Sequence, residues 1–158
     1  DVRRPDDRPP FLDLGLLEGG ERRRRLLLAR RNLLAEAGLQ YVADWVNDDQ
    51  PYEIKTAHGP LFSLPYTVEL NDIPMMVLQH HEAEEFFRRA KDQFETLYAE
   101  GAKSARVMAI AVHPYISGVP HRIKYFEKTF AYLKKQKGVL FWTGEEILEW
   151  YRHLRSPE

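Results

Sequence analysis

The sequence lacks several features that would point to particular functions. It contains no cysteine, which excludes disulfides, thiol catalysis and cysteine-ligated zinc or iron–sulfur sites. No apolar run reaches the ~18–20 residues of a membrane span. Basic and acidic residues nearly balance, with 23 Lys and Arg against 24 Asp and Glu. The charge therefore gives no electrostatic reason to expect nucleic acid or a membrane as a partner.

Short motifs with a known mechanism are also missing. The sequence has no P-loop, no G-x-G-x-x-G, no G-x-S-x-G and no H-E-x-x-H pattern. The first residues, "DVRRPDDRPPFLD", lack methionine and do not follow the basic-then-apolar pattern of a secretory signal. We therefore expect a processed chain or part of a longer product, located in the cytoplasm.

The remaining sequence predicts one α/β domain. Residues 1–20 are rich in proline and arginine and are expected to form a flexible leader, followed by a single domain over 21–158. Apolar periodicity predicts helices at 21–37, 82–100, 121–137 and 145–155, strands at 39–46, 105–112 and 139–143, and a hairpin over 52–66. Residues 67–81 are expected to be irregular or briefly helical, and Thr143 or Gly144 to cap the last helix.

Strands separated by helices of this length favour parallel pairing through right-handed crossovers. The pattern indicates either an open sheet or part of a barrel. Three parallel strands do not close a barrel, which usually needs about seven or eight.

Two strand ends carry groups suited to chemistry. The segment "DWVNDDQPY" (44–52) follows the first strand and supplies Asp48, and "HPY" follows the second and supplies His113. Because adjacent parallel strands end at the same edge, the carboxylate could orient the imidazole for proton transfer. Trp45, Tyr52 and Tyr115 could form the walls of an aromatic pocket. Two structural alternatives remain, in which His113 only bonds the backbone and Asp48 belongs to an ordinary turn.

Several segments in order resemble the C-terminal half of the polysaccharide deacetylase (NodB-homology) family. They are "LLAEAGLQYVADWVNDDQPY", "GPLFSLPYTVELNDIP", "HEAEEFFRRAKDQFETLY", "MAIAVHPYISGVPHRI" and "FWTGEEILEWY", between about residues 33 and 152. The segment "HGPLFSLPYTVELND" makes the allantoinase-like and cyclic-imide-hydrolase-like branch the most similar one.

The resemblance implies a distorted (β/α) barrel and hydrolysis of non-peptide carbon–nitrogen bonds. His113 would protonate the leaving nitrogen or stabilise the tetrahedral intermediate, with Asp48 as its acidic partner and Trp45 nearby as part of the pocket wall. The implied substrates are a small amide, a ureide such as allantoin, or an N-acyl sugar.

The motifs of the family's first half are absent from residues 1–32. They would supply the catalytic base and the ligands of a divalent metal, so we assign no metal ligand. A half barrel exposes strand edges, and we expect a homo-oligomer. Three interpretations stay open: a hydrolase of allantoin or cyclic amides, an N-acyl-sugar deacetylase, and a truncated non-catalytic module.

Overall fold

The computed structural model describes residues 19–155, with side chains from residue 25 onward. The predicted leader, residues 1–20, lies almost entirely outside the described residues. The described chain divides into two compact units. One holds residues 19–40 and 54–61, and the other holds residues 41–53 and 62–155.

The first unit contains helix α1, Gly19–Glu36, close to the predicted 21–37. A Schellman motif ends the helix: the amide of Gly38 donates to Ala35 and that of Leu39 donates to Leu34, each at 3.0 Å. Gly38 has a φ of +83°, which glycine adopts without a Cβ penalty. The helix leaves two of its leucines, Leu26 and Leu33, exposed.

A small sheet contains strands β1 (Tyr41–Val42), β2 (Tyr52–Ile54) and β3 (Leu61–Ser63), in the order β1-β3-β2. Strands β1 and β3 are parallel, with Tyr41 opposite Phe62 and Val42 opposite Ser63. The predicted strand at 39–46 therefore forms over only two residues. The predicted hairpin corresponds to β2 and β3, which are neighbours in the sheet.

Four helical segments of the second unit surround the main core. A π-helix at Ile73–Leu78 lies in the segment predicted to be irregular, and α2 spans Glu84–Gly101, close to the predicted 82–100. Helix α3 is a single turn at Pro114–Ser117, and α4 spans Ile123–Leu133. The π-helix, α2 and α3 contribute Met75, Met76, Phe86 and Ile116 to the core cluster.

Helix α2 buries one apolar face. Phe86, Ala90, Phe94 and Leu97 are all buried. The Phe86 ring lies 6.2 Å from that of Phe126 on α4, and the Phe94 ring meets Tyr132 edge-on at 5.8 Å. Burial of such side chains contributes about 1.5–3 kcal/mol each, so the α2–α4 contact is a main source of stability in this unit.

The predicted strands at 105–112 and 139–143 do not form. The first segment has no regular secondary structure apart from one isolated parallel bridge, Asn71 with Ala111. The second has no strand partner within residues 19–155, and Leu140, Phe141 and Trp142 are exposed. A strand requires a neighbouring backbone at the right distance, which the local composition of a segment does not supply.

Helix α5, Gly144–Arg155, completes the described chain. The backbone amide and hydroxyl of Thr143 donate to Glu146, and the Glu146 amide donates back to the Thr143 hydroxyl at 3.3 Å. This reciprocal capping box confirms the predicted role of Thr143. These donors lower the pKa of the Glu146 carboxyl. In the described part of the chain, no helix is long and apolar enough to cross a membrane.

Candidate active site

His113 lies between the segment 105–112 and α3. Its backbone is extended, with φ −117° and ψ 128°, and Pro114 begins the helical turn. Proline fits this first helical position because its missing amide would have no helical partner there. The imidazole is 34% exposed, and its Nδ1 atom lies 2.7 Å from Oδ1 of Asp72. The predicted strand-end histidine is therefore in contact with a carboxylate.

Asp72 is fully buried, and three donors converge on it. Its Oδ1 atom faces Nδ1 of His113, and its Oδ2 atom accepts from the His113 backbone amide at 2.7 Å. The same Oδ2 accepts from the hydroxyl of Ser117 at 2.8 Å. A buried carboxylate needs such donors, because leaving it without them would cost several kcal/mol.

Backbone hydrogen bonds hold the two segments in register. The Ala111 amide donates to the Leu70 carbonyl at 3.0 Å, and the Asp72 amide donates to the Ala111 carbonyl at 3.2 Å. These bonds flank the bridge between Asn71 and Ala111. Asp72 consequently faces His113 although 41 residues separate them in sequence.

This contact defines the chemistry available to His113. An ionised carboxylate only accepts hydrogen bonds, so Nδ1 of the imidazole carries the shared proton. That arrangement fixes the tautomer and leaves Nε2 for proton transfer. A histidine oriented in this way can take a proton from a nucleophile or give one to a leaving group.

A cavity of about 190 Å³ lies beside His113. Apart from His113 and Ser117, its wall is mostly apolar, with contributions from Val112, Pro114, Ile123 and Phe126. Tyr115 is on the exposed side, with its ring centre 5.5 Å from that of the imidazole. The cavity therefore offers a small apolar space within reach of the Asp72–His113 pair.

His113 contacts Asp72, and no described hydrogen bond joins it to Asp48, the predicted acidic partner. Asp48 is exposed, and its Oδ1 accepts from the backbone amide of Gln50 at 3.0 Å. This is an Asx turn, in which the side chain stabilises its own loop. The catalytic role of Asp48 stays a prediction.

The predicted aromatic residues separate into two groups. Tyr115 contacts His113, whereas the Tyr52 hydroxyl exchanges hydrogen bonds with the Asn47 side chain at 2.8 and 3.0 Å. Trp45 is partly buried in the same segment as Asn47. Their roles in substrate binding stay predictions.

Sequence reasoning missed Asp72 and Ser117. Asn71-Asp72 comes just before Pro74, and Ser117 just before Gly118, and both patterns are typical of turns. Within residues 19–155, no group of three or more His, Asp or Glu side chains is placed to hold a metal ion. The described residues thus do not fit the metal site that the family resemblance implies, and no chemical step is assigned to a metal.

Comparison with known proteins shows that the chain is similar to polysaccharide deacetylases. No family model matches the chain. The chain is 31% identical over 118 residues to a Schizosaccharomyces pombe protein assigned to the polysaccharide deacetylases. That match covers 68% of this chain and 37% of the relative. The chain thus spans well under half the length of this curated relative.

Solved structures give a consistent result. An assigned polysaccharide deacetylase from Pseudomonas aeruginosa PAO1 has a TM-score of 0.71 at 34% identity, over 78% of this chain and 43% of that one. PuuE allantoinase has a TM-score of 0.75 at 25% identity, over 92% of this chain and 57% of that one. A Mycobacterium smegmatis structure has a TM-score of 0.69 at 22% identity, over 80% of this chain and 46% of that one. At this identity, the match supports a shared fold only. Together, these similarities in sequence and fold support the polysaccharide deacetylase family as the family of this chain.

Proposed function

We propose that this chain carries the His113-centred part of a hydrolase site for non-peptide carbon–nitrogen bonds. The observation that supports the proposal most directly is the contact between His113 and the fully buried Asp72. A carboxylate with three converging donors holds the imidazole in one orientation and one tautomer. Amide hydrolysis needs such a group, because the departing nitrogen must gain a proton as its bond to carbon breaks.

In this proposal, Nε2 of His113 takes a proton from water as the water adds to the acyl carbon. It then gives that proton to the leaving nitrogen as the carbon–nitrogen bond breaks. The apolar wall of Val112, Ile123 and Phe126 excludes water from one side of the site, which strengthens electrostatic interactions there. The adjoining cavity is large enough for a small acyl group or the edge of a small ring. Tyr115, exposed next to the imidazole, is placed to contact the part of a substrate that extends into solvent.

We propose an N-acyl sugar as the first substrate class to test. The two more similar relatives, at 31% and 34% identity, are both assigned as polysaccharide deacetylases. Allantoin and related cyclic amides form the second class, because PuuE allantoinase matches 92% of this chain with a TM-score of 0.75.

We also propose that the chain forms part of a deacetylase-type (β/α) barrel. The similarity to solved deacetylase structures supports this assignment.

The catalytic proposal is tested by activity assays on the purified chain. Release of acetate from N-acetylated chitooligosaccharides and hydrolysis of allantoin would be measured for the unaltered chain and for His113→Ala. Loss of a general acid or base typically lowers the rate by about 10²–10⁴-fold, and we expect a decrease in that range. His153→Ala is the matched control, because the Nδ1 of His153 contacts only the Glu149 carbonyl on α5 in the described hydrogen bonds.

Two results would overturn the proposal. One is the absence of turnover by the unaltered chain with both substrate classes. The other is turnover by His113→Ala equal to that of His153→Ala. Activity on only one substrate class would instead identify the substrate.

A further inference from the structure

Ser117 has a buried hydroxyl that the proposed proton transfer does not use. It is the last residue of α3, and its Oγ donates to Oδ2 of Asp72 at 2.8 Å. The side chain is 6% exposed, so water does not readily replace this hydrogen bond. The contact therefore belongs to the immediate surroundings of the His113–Asp72 pair.

The geometry of α3 explains why this serine reaches the carboxylate. The Ser117 amide donates to the His113 carbonyl at 3.0 Å, which closes one helical turn. Residues four apart lie on the same face of a helical turn, so the His113 amide and the Ser117 hydroxyl approach the same side of Asp72. Both donate to Oδ2, at 2.7 and 2.8 Å, and Oδ1 is left to face Nδ1.

The next residue permits this tight turn. A Cβ atom at Gly118 would collide with the Pro114 carbonyl oxygen, which accepts the Gly118 amide hydrogen bond at 3.0 Å. Glycine therefore lets the chain leave α3 immediately after Ser117. The hydroxyl can stay directed at Asp72 instead of being displaced by a wider turn.

We propose that Ser117 is a positioning residue that fixes the rotation of the Asp72 carboxylate and, through it, the tautomer of His113. Its consequence for catalysis rests on the proposed hydrolase function. With two donors on Oδ2, rotating the carboxylate would break both hydrogen bonds. With the His113 amide as the only donor to Oδ2, the Asp72 carboxylate rotates more readily. Its hydrogen bond to Nδ1–H of His113 is then weaker.

Few other charged or titratable groups contact this arrangement. Tyr115 lies beside the imidazole, at 5.5 Å between ring centres. Arg122 donates to the Ile116 carbonyl at 3.4 Å, on the same turn. Neither of these recorded contacts involves Oδ2 of Asp72, so removing the Ser117 hydroxyl alters one defined hydrogen bond of the carboxylate.

The test is nitrogen NMR of the full chain labelled with ¹⁵N-histidine, at pH 8, where an ordinary imidazole is neutral. Comparison with His113→Gln assigns the His113 signals. In the unaltered chain, we expect Nδ1 to show the shift of a protonated nitrogen and Nε2 that of an unprotonated one. In Ser117→Ala, we expect both shifts to move toward the average of the two tautomers.

Two further variants separate positioning from a general packing effect. Ser117→Thr keeps the hydroxyl, and its extra methyl can extend toward the adjoining cavity, so we expect the unaltered shifts to return. Ser63→Ala is the matched control, because Ser63 is a buried serine whose Oγ has no hydrogen-bond partner within residues 19–155. It should leave the His113 shifts unchanged.

Circular dichroism would verify that each variant folds. If Ser117→Ala is unfolded, Ser117→Cys provides the comparison, since a thiol is only a weak donor. Unchanged His113 shifts in a folded Ser117→Ala or Ser117→Cys variant would overturn the proposal.

A kinetic measurement connects the positioning role to the proposed reaction. We expect Ser117→Ala to lower kcat about 10-fold with little change in KM, equivalent to about 1.4 kcal/mol of transition-state stabilisation. The two proposals fail separately. A chain without turnover overturns the hydrolase, whereas unmoved NMR shifts overturn the role of Ser117 even in an active chain.

Discussion

Replacing Asp72 with asparagine removes the charge of the buried carboxylate and nearly preserves its shape. Asp72 accepts hydrogen bonds at 2.7, 2.7 and 2.8 Å. The asparagine oxygen can still accept from the His113 amide and the Ser117 hydroxyl. Its amide nitrogen would then face Nδ1, so the imidazole proton must move to Nε2. The substitution therefore affects both the stability of the site and the tautomer of its histidine.

The expected loss of stability follows from these three hydrogen bonds. A hydrogen bond to a charged group contributes about 1.5–3 kcal/mol, against about 0.5–1.5 kcal/mol for a neutral one. Three bonds that each lose about 1 kcal/mol give a total of about 3 kcal/mol. Removing a buried charge offsets part of this cost, so we expect a net loss of about 2 kcal/mol.

Urea unfolding measures this loss, with tryptophan fluorescence and circular dichroism as probes. For an m-value of about 2 kcal/mol/M, the midpoint of Asp72→Asn should fall by about 1 M. Asp48→Asn is the matched control, because it makes the same chemical change in an exposed turn, where substitutions are usually within about 0.5 kcal/mol. If the two midpoints fall equally, the converging donors do not stabilise the carboxylate and the reasoning is refuted.

Two further predictions concern other parts of the second unit. Side-chain hydrogen bonds from Arg88, and then from Arg89, lower the pKa of Glu85 from 4.5 to about 2. Because the folded pKa is the lower one, this stabilisation is complete above about pH 4.5 and is lost as the pH falls toward 2. Glu85→Gln should therefore cost about 1 kcal/mol at pH 7, a modest value because the Arg88 side chain is 63% exposed to screening water. Thermal melts of both chains should converge near pH 2, and a constant difference would contradict the role of the ion pairs. Hydrogen exchange tests the segment 139–143. Its amides at 140–142 should exchange rapidly, while the amide of Leu97 in α2 stays protected. Equal protection would show that the segment is paired in solution.

Local sequence patterns predicted the helices well. The inner face of α2 and the capping of α5 by Thr143 depend on residues only three or four positions apart, which a reader of the sequence can evaluate directly. The extended backbone of His113 also follows from a local rule, because Pro114 restricts the residue before it.

The missed features depend on contacts between distant parts of the chain. Asp72 becomes a partner of His113 only through the backbone bridge between Asn71 and Ala111. Asp48 was the more conspicuous carboxylate because it follows a predicted strand, but the observed strand β1 ends at Val42. The segment at 139–143 has strand composition but no strand partner within residues 19–155.

The exposed residues Leu140, Phe141 and Trp142 also affect how the protein behaves in concentrated solution. An exposed apolar segment with the composition of a strand can form β-pairs between separate molecules. The described chain thus combines a well-packed helical core with a short surface that favours aggregation. Aggregation through this segment increases with protein concentration. The folding free energy depends instead mainly on the core around Phe86.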